Sequence, residues 1–115
     1  MPAKTLWEIL VPANSNDGIE YSLEHHKEWD TKIRELAGGL TILRTTKGQW
    51  INPDGKTMSD RMIPVRVLCT EEEINNIIQL TLSHYNQEAV LAYQISSAVK
   101  LVYRNSSQQQ PADKQ

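Results

Sequence analysis

Two segments of this chain carry the periodicity of an amphipathic helix, and each follows a run that alternates like a β-strand. Residues 5–11 alternate, and residues 22–37 then gather apolar side chains on one helical face. Residues 62–69 and 70–85 repeat that order, and residues 89–95 supply a last strand, with an irregularity expected just after it at Ser96-Ser97 and a continuation at 99–103. Each helical stripe has to be buried against a sheet. The pattern predicts strand–helix–strand–strand–helix–strand.

The helix ends carry specific sequence signals. Gly38 and Gly39 predict a left-handed stop for the first helix, since glycine tolerates positive φ. Thr70 followed by Glu73 predicts a capping box at the start of the second helix.

The strands between the two helices are less clearly marked. The second strand is expected over residues 40–44, with a turn at residues 47–48 and a stronger turn at residues 52–55. Pro64 cannot donate to a strand ladder, so it predicts a strand start, an edge or a bulge.

The simplest arrangement is an α+β fold, the ferredoxin-like plait, in which a four-stranded antiparallel sheet carries both helices on one face. With 115 residues the chain has room for one domain, which we assign to residues 1–104. The polar, glutamine-rich residues 105–115 are expected to form a disordered tail.

Composition and charge disfavour several classes of partner. A net charge of −2 is unsuited to coating nucleic acid, and no apolar run is long enough to cross a bilayer. The N-terminal residues do not resemble a secretory signal. The single cysteine, Cys69, excludes an intrachain disulfide and ends an apolar run, which is typical of a buried, unreactive thiol. We therefore expect a cytoplasmic protein with no nucleic-acid or membrane partner.

The predicted fold leaves one face of the sheet without helices. Large apolar groups on this open face surround one pair of opposite charges, Glu8 and Arg66, on neighbouring strands. Such a patch predicts an oligomer interface or a ligand wall, formed by Leu6, Glu8, Leu10, Met62, Arg66 and Leu68. Alternatively, the last strand or the loop at residues 52–60 covers this face.

The main candidate for ligand binding combines Gln49 and Trp50 with Asp60 and Arg61, next to the predicted loop. An arginine beside a tryptophan and a glutamine can hold a carboxylate or phosphate while the indole covers an apolar part. The alternative is that Trp50 covers the core and Asp60 and Arg61 form a solvated pair.

The histidines give weaker signals. His25 and His26 point about 100° apart on a helix, and His26 with Asp30 lacks a third ligand, so no metal site is predicted. His84 at a helix C-terminus is explained by the helix dipole. Alternatively, His84, Tyr85 and Glu88 form an acid–base group.

The Met-Pro start is similar to that of the tautomerase superfamily, whose members use the freed amine of this proline as an acid or base. That resemblance makes Pro2 a further catalytic candidate.

Four short motifs occur in a fixed order: Gly-Leu-Thr at 39–41, Gly-Gln-Trp at 48–50, Asp-Arg at 60–61 and Gln-Glu-Ala-Val-Leu at 87–91. In this order they resemble a family of short, uncharacterised bacterial proteins, although Ile51, Met62 and Ala89 depart from its pattern. The resemblance implies a ferredoxin-like domain of unknown function. It favours a ligand site that includes Trp50, Arg61, Gln87 and Glu88, to which we add Gln49 and Tyr85.

These observations predict a small oligomeric binding protein that recognises a small anionic ligand or a protein partner and uses no cofactor. The alternatives are an acid–base enzyme that uses Pro2 or His84 with Glu88, and an adaptor or inhibitor of another protein. No complete catalytic constellation is present, which favours binding over catalysis.

Overall fold

A computed structural model describes residues 2–104; Met1 and residues 105–115, including the expected tail, lie outside that description. The elements in chain order are β1 (Thr5–Pro12), α1 (Leu23–Ala37), β2 (Thr41–Ile42), β3 (Thr46–Ile51), β4 (Thr57–Cys69), α2 (Glu71–His84) and β5 (Ala92–Ser96). The predicted α+β order is confirmed, with the second strand divided into β2 and β3.

The sheet has the order β2-β4-β1-β5, and all of its pairs are antiparallel. β1 runs along the second half of β4, from Thr5 opposite Cys69 to Pro12 opposite Met62. β3 pairs with the first half of β4. This topology is the ferredoxin-like plait that the sequence predicts.

Both helices pack on the same face of the sheet and form one core with β1 and β4. The fully buried members are Ile9, Val11, Trp29, Ile33, Val65, Val67, Cys69, Ile74, Ile77 and Tyr85. Trp29 Nε1 donates to Thr81 Oγ1 at 3.0 Å, so the two helices are also joined by a buried hydrogen bond. Burial raises the pKa of the Cys69 thiol to about 11, which keeps it protonated and unreactive at neutral pH.

The predicted helix ends are confirmed. Gly38 ends α1 with φ of 91°, in the left-handed region. Thr70 Oγ1 accepts from the Glu73 amide at 3.1 Å, and a Glu73 carboxylate oxygen accepts from the Thr70 amide at 2.8 Å. This is the capping box.

The turn predicted at residues 47–48 is wrong, because both residues lie inside β3. β4 has 13 residues and starts at Thr57, so the expected loop at 52–60 shrinks to a turn. Asn52 closes this turn, since its Oδ1 accepts from the amides of Asp54 and Lys56 at 3.0 and 2.9 Å. This local side-chain chemistry is strong enough to make the turn short.

Pro64 lies within β4, at neither a strand start nor an outer edge. Its partner on β1 is Leu10, whose amide donates to Leu91 on the far side, so the Pro64 nitrogen faces away from β1. The Pro64 carbonyl accepts from Leu43 at 2.9 Å. The missing donor therefore falls at the gap between β2 and β3, which explains why the second strand is interrupted there.

β5 begins three residues later than predicted, and residues 99–103 do not extend it. A register shift between Leu6 and Trp7 lies opposite Ser96, where the sequence suggests an irregularity. Within residues 2–104, neither helix has the length and apolar character needed to cross a membrane.

Candidate functional site

β3 and the first half of β4 form a two-stranded ribbon, residues 46–61, which we call the arm. Its register runs from Lys47 opposite Arg61 to Ile51 opposite Thr57. Along β3 only Gly48 is half-buried, and the other residues are exposed. The Met62 methyl group occupies the space that a side chain at position 48 would need, so glycine allows Met62 to lie across the arm.

Two adjoining clefts flank the base of the arm, with volumes of about 520 Å³ and about 660 Å³. They share four lining residues, which are Trp50, Asp60, Arg61 and Gln87. The smaller cleft continues onto apolar side chains near the ends of β1 and β5, namely Leu10, Val90 and Leu91. The larger cleft is lined also by the loop after β1 and by Lys47.

Lys47 and Arg61 face each other directly across the arm, so both side chains leave the same face of the ribbon. Within residues 2–104 neither cation has an ion-pair partner, and the only salt bridge joins Arg66 to Glu8. Like charges directly opposite each other destabilise an antiparallel pair. The expected solvated pair of Asp60 with Arg61 is not formed, because Asp60 lies opposite Gly48 on the other face.

Trp50 and Gln87 add an aromatic surface and a side-chain amide to the lining of both clefts. Trp50 is 45% exposed, so it does not cover the core. Gln87 Nε2 donates to the Tyr85 carbonyl at 3.1 Å and to Asn16 Oδ1 at 3.4 Å, which leaves its amide oxygen available as an acceptor. Gln49, opposite Ser59, is exposed at the smaller cleft.

Tyr85 and Glu88 lie apart from these clefts. Tyr85 is fully buried, burial raises the pKa of its hydroxyl, and this hydroxyl shares a hydrogen bond of 2.6 Å with His26 Nδ1. Burial also lowers the pKa of His26, which favours the neutral form of its ring. Glu88 is exposed and lines neither cleft.

The candidate catalytic residues are not brought together. Pro2 is exposed before the start of β1, whereas the smaller cleft lies beyond the other end of that strand, at Pro12. The His84 ring bonds through Nε2 to the His25 carbonyl at 2.7 Å. Among the described residues no hydrogen bond joins His84 to Glu88.

The open face holds the predicted ion pair and one residue that sequence reasoning missed. Arg66 Nε donates to Glu8 Oε1 at 2.8 Å, and the Tyr93 hydroxyl donates to Glu8 Oε2. Glu8 is only 7% exposed, although no helix covers it. The bonds from Tyr93 and then Arg66 lower the pKa of this carboxyl. Tyr93 is assigned to this face by its pairing with Glu8 on β1, which the sequence alone does not give.

The apolar groups of the open face, Leu6, Leu10, Met62 and Leu68, are half-buried. Leu101 and Tyr103 line a cleft of about 350 Å³ together with Leu6, Arg66 and Leu68. The stretch after β5 therefore lies beside this face, although it forms no strand.

The fold and its antiparallel order define the class of protein, a ferredoxin-like α+β domain. No protein-family model matches the sequence, and no curated protein matches it either. Solved structures do match. The periplasmic divalent cation tolerance protein CutA from Archaeoglobus fulgidus has a TM-score of 0.63 and 16% identity, over 85% of this chain and 87% of that chain.

CutA1 from the psychrotrophic bacterium Shewanella sp. SIB1 has a TM-score of 0.63 and 15% identity, over 93% of this chain and 91% of that chain. A phage SAM lyase in complex with S-methyl-5'-thioadenosine has a TM-score of 0.60 and 15% identity, over 86% and 85% of the two chains. Similarity at this level of identity shows the fold alone. It supports the ferredoxin-like resemblance and gives no support to the tautomerase resemblance.

Proposed function

We propose that this protein is a small homo-oligomeric binding protein that holds an anionic ligand at the base of the arm. The observation that carries the proposal is the pair of uncompensated cations, Lys47 and Arg61, opposite each other at a cleft. A bound phosphate or carboxylate removes the repulsion between them and accepts hydrogen bonds from both. A bound anion therefore stabilises the folded protein by more than its contact with Lys47 or with Arg61 alone would.

The rest of the cleft favours a ligand with a planar group. Trp50 projects from the other face of the ribbon, but it lines the same clefts as Arg61, and its exposed indole offers a stacking surface there. Gln49 and Gln87 add amide donors and acceptors of the kind that fix a heterocycle. The phage SAM lyase was solved with S-methyl-5'-thioadenosine, a ligand that contains an adenine ring. We therefore select adenosine 5'-monophosphate, which joins that ring to a phosphate, as the first probe.

Two features support self-association. A two-stranded ribbon is at best marginally stable alone in water, yet the arm extends past β1 with exposed Trp50 and Ile51. The open face adds half-buried Leu6, Leu10 and Leu68 around the ion pair, with Tyr93 and Leu91 more exposed. A second copy that covers either surface buries apolar area that water otherwise contacts.

The ligand proposal is tested by calorimetric titration of the full chain with adenosine 5'-monophosphate. Arg61→Gln and Trp50→Ala each weaken binding by about tenfold or more, because each removes a contact worth more than about 1.4 kcal/mol. Arg34→Gln, which removes an exposed arginine on α1, binds like the wild type. A second titration with adenosine, which lacks the phosphate, measures the contribution of ring stacking without that of anion binding. Equal affinity of wild type and Arg61→Gln would contradict the proposal.

The assembly is tested by sedimentation of the wild type and of Leu68→Lys, which places a charge on the open face. We expect more than one copy in the wild type and a shift toward a single copy in the variant. Leu23→Lys is the matched control, since Leu23 is 65% exposed on α1 and away from the open face. A wild-type protein that sediments as a single copy at every concentration rules out homo-oligomerisation.

The same samples distinguish the two alternatives. Conversion of a nucleoside substrate, with loss of activity in Pro2→Ala or His84→Asn, would favour an acid–base enzyme. Co-purification with one protein and no response to nucleotides would favour an adaptor or inhibitor. A cytoplasmic location is part of the proposal, and one structural neighbour is named as periplasmic, so cell fractionation is the corresponding test.

A further inference from the structure

The loop after α2 presents one side chain, Gln87, to both clefts of the proposed anion site. The backbone of this loop is fixed. Tyr85, at the C-cap of α2, is fully buried, and the backbone N–H of Gln87 donates to the Leu82 carbonyl at 2.9 Å. Asn86 has φ of 50°, in the left-handed region that asparagine tolerates better than most residues. The Gln87 side chain therefore leaves the backbone at a defined place.

A short network of hydrogen bonds sets the direction of the Gln87 side-chain amide. Its Nε2 donates to the Tyr85 carbonyl at 3.1 Å and to Asn16 Oδ1 at 3.4 Å. Asn16 Nδ2 in turn donates to the Asn86 carbonyl at 3.4 Å. Backbone carbonyls only accept hydrogen bonds, so reversal of either side-chain amide would bring two oxygens together. The two carbonyls therefore fix the orientation of both side-chain amides.

This orientation allows Gln87 to act only as an acceptor toward a ligand. Both hydrogens of its side-chain amide are used by Tyr85 and Asn16, whereas Oε1 has no hydrogen bond within residues 2–104. The partial negative charge of Oε1 repels a phosphate or carboxylate. When an anion binds Lys47 and Arg61, Gln87, which lines the same larger cleft, is therefore left to contact the uncharged part of the ligand.

We propose that Gln87 Oε1 selects ligands in which a planar ring that carries an amino group is joined to the phosphate or carboxylate held by Lys47 and Arg61. This inference rests on the anion site proposed above and names the class of ligand that the site takes. An amino group donates to Oε1. A ring without a donor at that position leaves Oε1 desolvated and without a partner, so it binds more weakly.

Gln49, which lines only the smaller cleft, lacks this selectivity. It is exposed, and its side chain forms no hydrogen bond within the described part of the chain. Its amide can therefore turn to donate or to accept, and it matches rings of either kind. Gln87 differs because Asn16 holds it. Asn16 lies 71 residues away in the sequence, so only the contact between the two loops reveals it as a positioning residue.

The proposal is tested by calorimetric titration of the full chain with adenosine 5'-monophosphate and with purine riboside 5'-monophosphate. The two nucleotides share the ring system, the ribose and the phosphate, and the second lacks only the amino group. We expect the wild type to bind adenosine 5'-monophosphate about threefold to tenfold more tightly, which is the range of one neutral hydrogen bond. Gln87→Leu, which removes the acceptor, loses this preference. The preference is a ratio of two affinities of one protein, so a partly unfolded sample does not change it.

Asn16→Ala tests the positioning role, because it frees the Gln87 amide to turn. We expect its preference for adenosine 5'-monophosphate to fall, whereas a merely structural loss would weaken both nucleotides equally and keep the ratio. Asn76→Ala, which removes an exposed amide on α2 outside both clefts, keeps the wild-type preference. Equal affinity of the wild type for the two nucleotides, or a preference that survives in Gln87→Leu or is unchanged in Asn16→Ala, overturns this inference alone. Binding of neither nucleotide overturns the anion site as well.

Discussion

β4 belongs to two regions of the molecule that are built in the same way and placed in different surroundings. Residues 65–69 of this strand contribute Val65, Val67 and Cys69 to the core, whereas residues 57–61 are exposed along the arm. Both halves use antiparallel backbone pairing. Only residues 65–69 are covered by helices; we call the part of the fold outside the arm, namely β1, β2, the second half of β4, β5 and both helices, the body. Backbone pairing continues along the whole strand, so we expect burial against α1 and α2 to supply most of the stability.

The functional features follow the same division. In the body, the buried carboxylate of Glu8 is paired with Arg66. The arm leaves Lys47 and Arg61 opposite each other and Trp50 in contact with solvent. A region that contributes little to the core can carry such unfavourable groups at low cost, and the proposed ligand contacts lie in this region.

The prediction with the largest expected effect compares two variants, in each of which one tryptophan, from the body or from the arm, is replaced by alanine. Trp29→Ala removes a side chain that is 1% exposed and breaks its bond to Thr81, so we expect a loss of about 3–5 kcal/mol in the free energy of unfolding. Trp50→Ala removes a half-exposed ring from the arm and costs less than about 1 kcal/mol. Denaturant unfolding at one fixed protein concentration measures both. Similar losses in the two variants would break the comparison.

The second test concerns the buried charge on the open face. Glu8→Gln weakens the bonds to Arg66 and Tyr93, and we expect a loss of about 1–3 kcal/mol at neutral pH. Folding lowers the pKa of Glu8 below its ordinary value of 4.5, so its contribution is complete above that pH. The contribution is lost as the pH falls through the pKa of the folded state.

The difference in unfolding free energy between wild type and Glu8→Gln should therefore shrink on acidification. Glu88→Gln is the matched control, because Glu88 is exposed and outside this network. A difference that stays constant from neutral pH to below pH 4 would show that Glu8 is not held ionised by its partners.

The sequence predicts the body well because each of its elements carries a local signal. The stripe that includes Trp29 and Ile33, the Gly38 stop and the Thr70 capping box all agree with tertiary packing. The same reasoning fails at residues 47–48, where glycine suggests a turn. There Gly48 instead gives room to Met62, a residue from the partner strand.

The candidate sites are predicted only in part, because they depend on contacts between distant segments. The motifs group Trp50, Arg61 and Gln87, and the structure brings these three to the same clefts. Lys47 is missed, since its position opposite Arg61 follows from register, which depends on where β4 begins. Tyr85 belongs to the same motif region, but its apolar ring is buried in the core.

A smaller effect is expected from a local signal in the body. Thr70→Ala removes the acceptor for the Glu73 amide at the start of α2, and we expect a loss of about 1 kcal/mol. Thr70→Ser keeps a hydroxyl and should restore most of that loss. The measurement is the shift of the unfolding midpoint at unchanged denaturant slope. Equal loss in the two variants would assign the effect to packing of the methyl group instead of the cap.

The smallest expected effect is a gain in stability, whereas the substitutions in the body each cause a loss. Lys47→Gln removes a cation directly opposite Arg61, so in low salt we expect the free energy of unfolding to rise by about 0.2–0.5 kcal/mol. High salt screens the repulsion and abolishes the gain. Lys56→Gln, in the turn that joins β3 to β4, has no opposing cation and should not change stability.

Addition of adenosine 5'-monophosphate should make the wild type more stable than Lys47→Gln. The nucleotide stabilises the folded wild type more than the variant, because the variant has lost one phosphate contact. A Lys47→Gln protein that is less stable than the wild type without any anion would mean that the two cations do not repel each other. The arm would then have no unfavourable charge for a ligand to relieve.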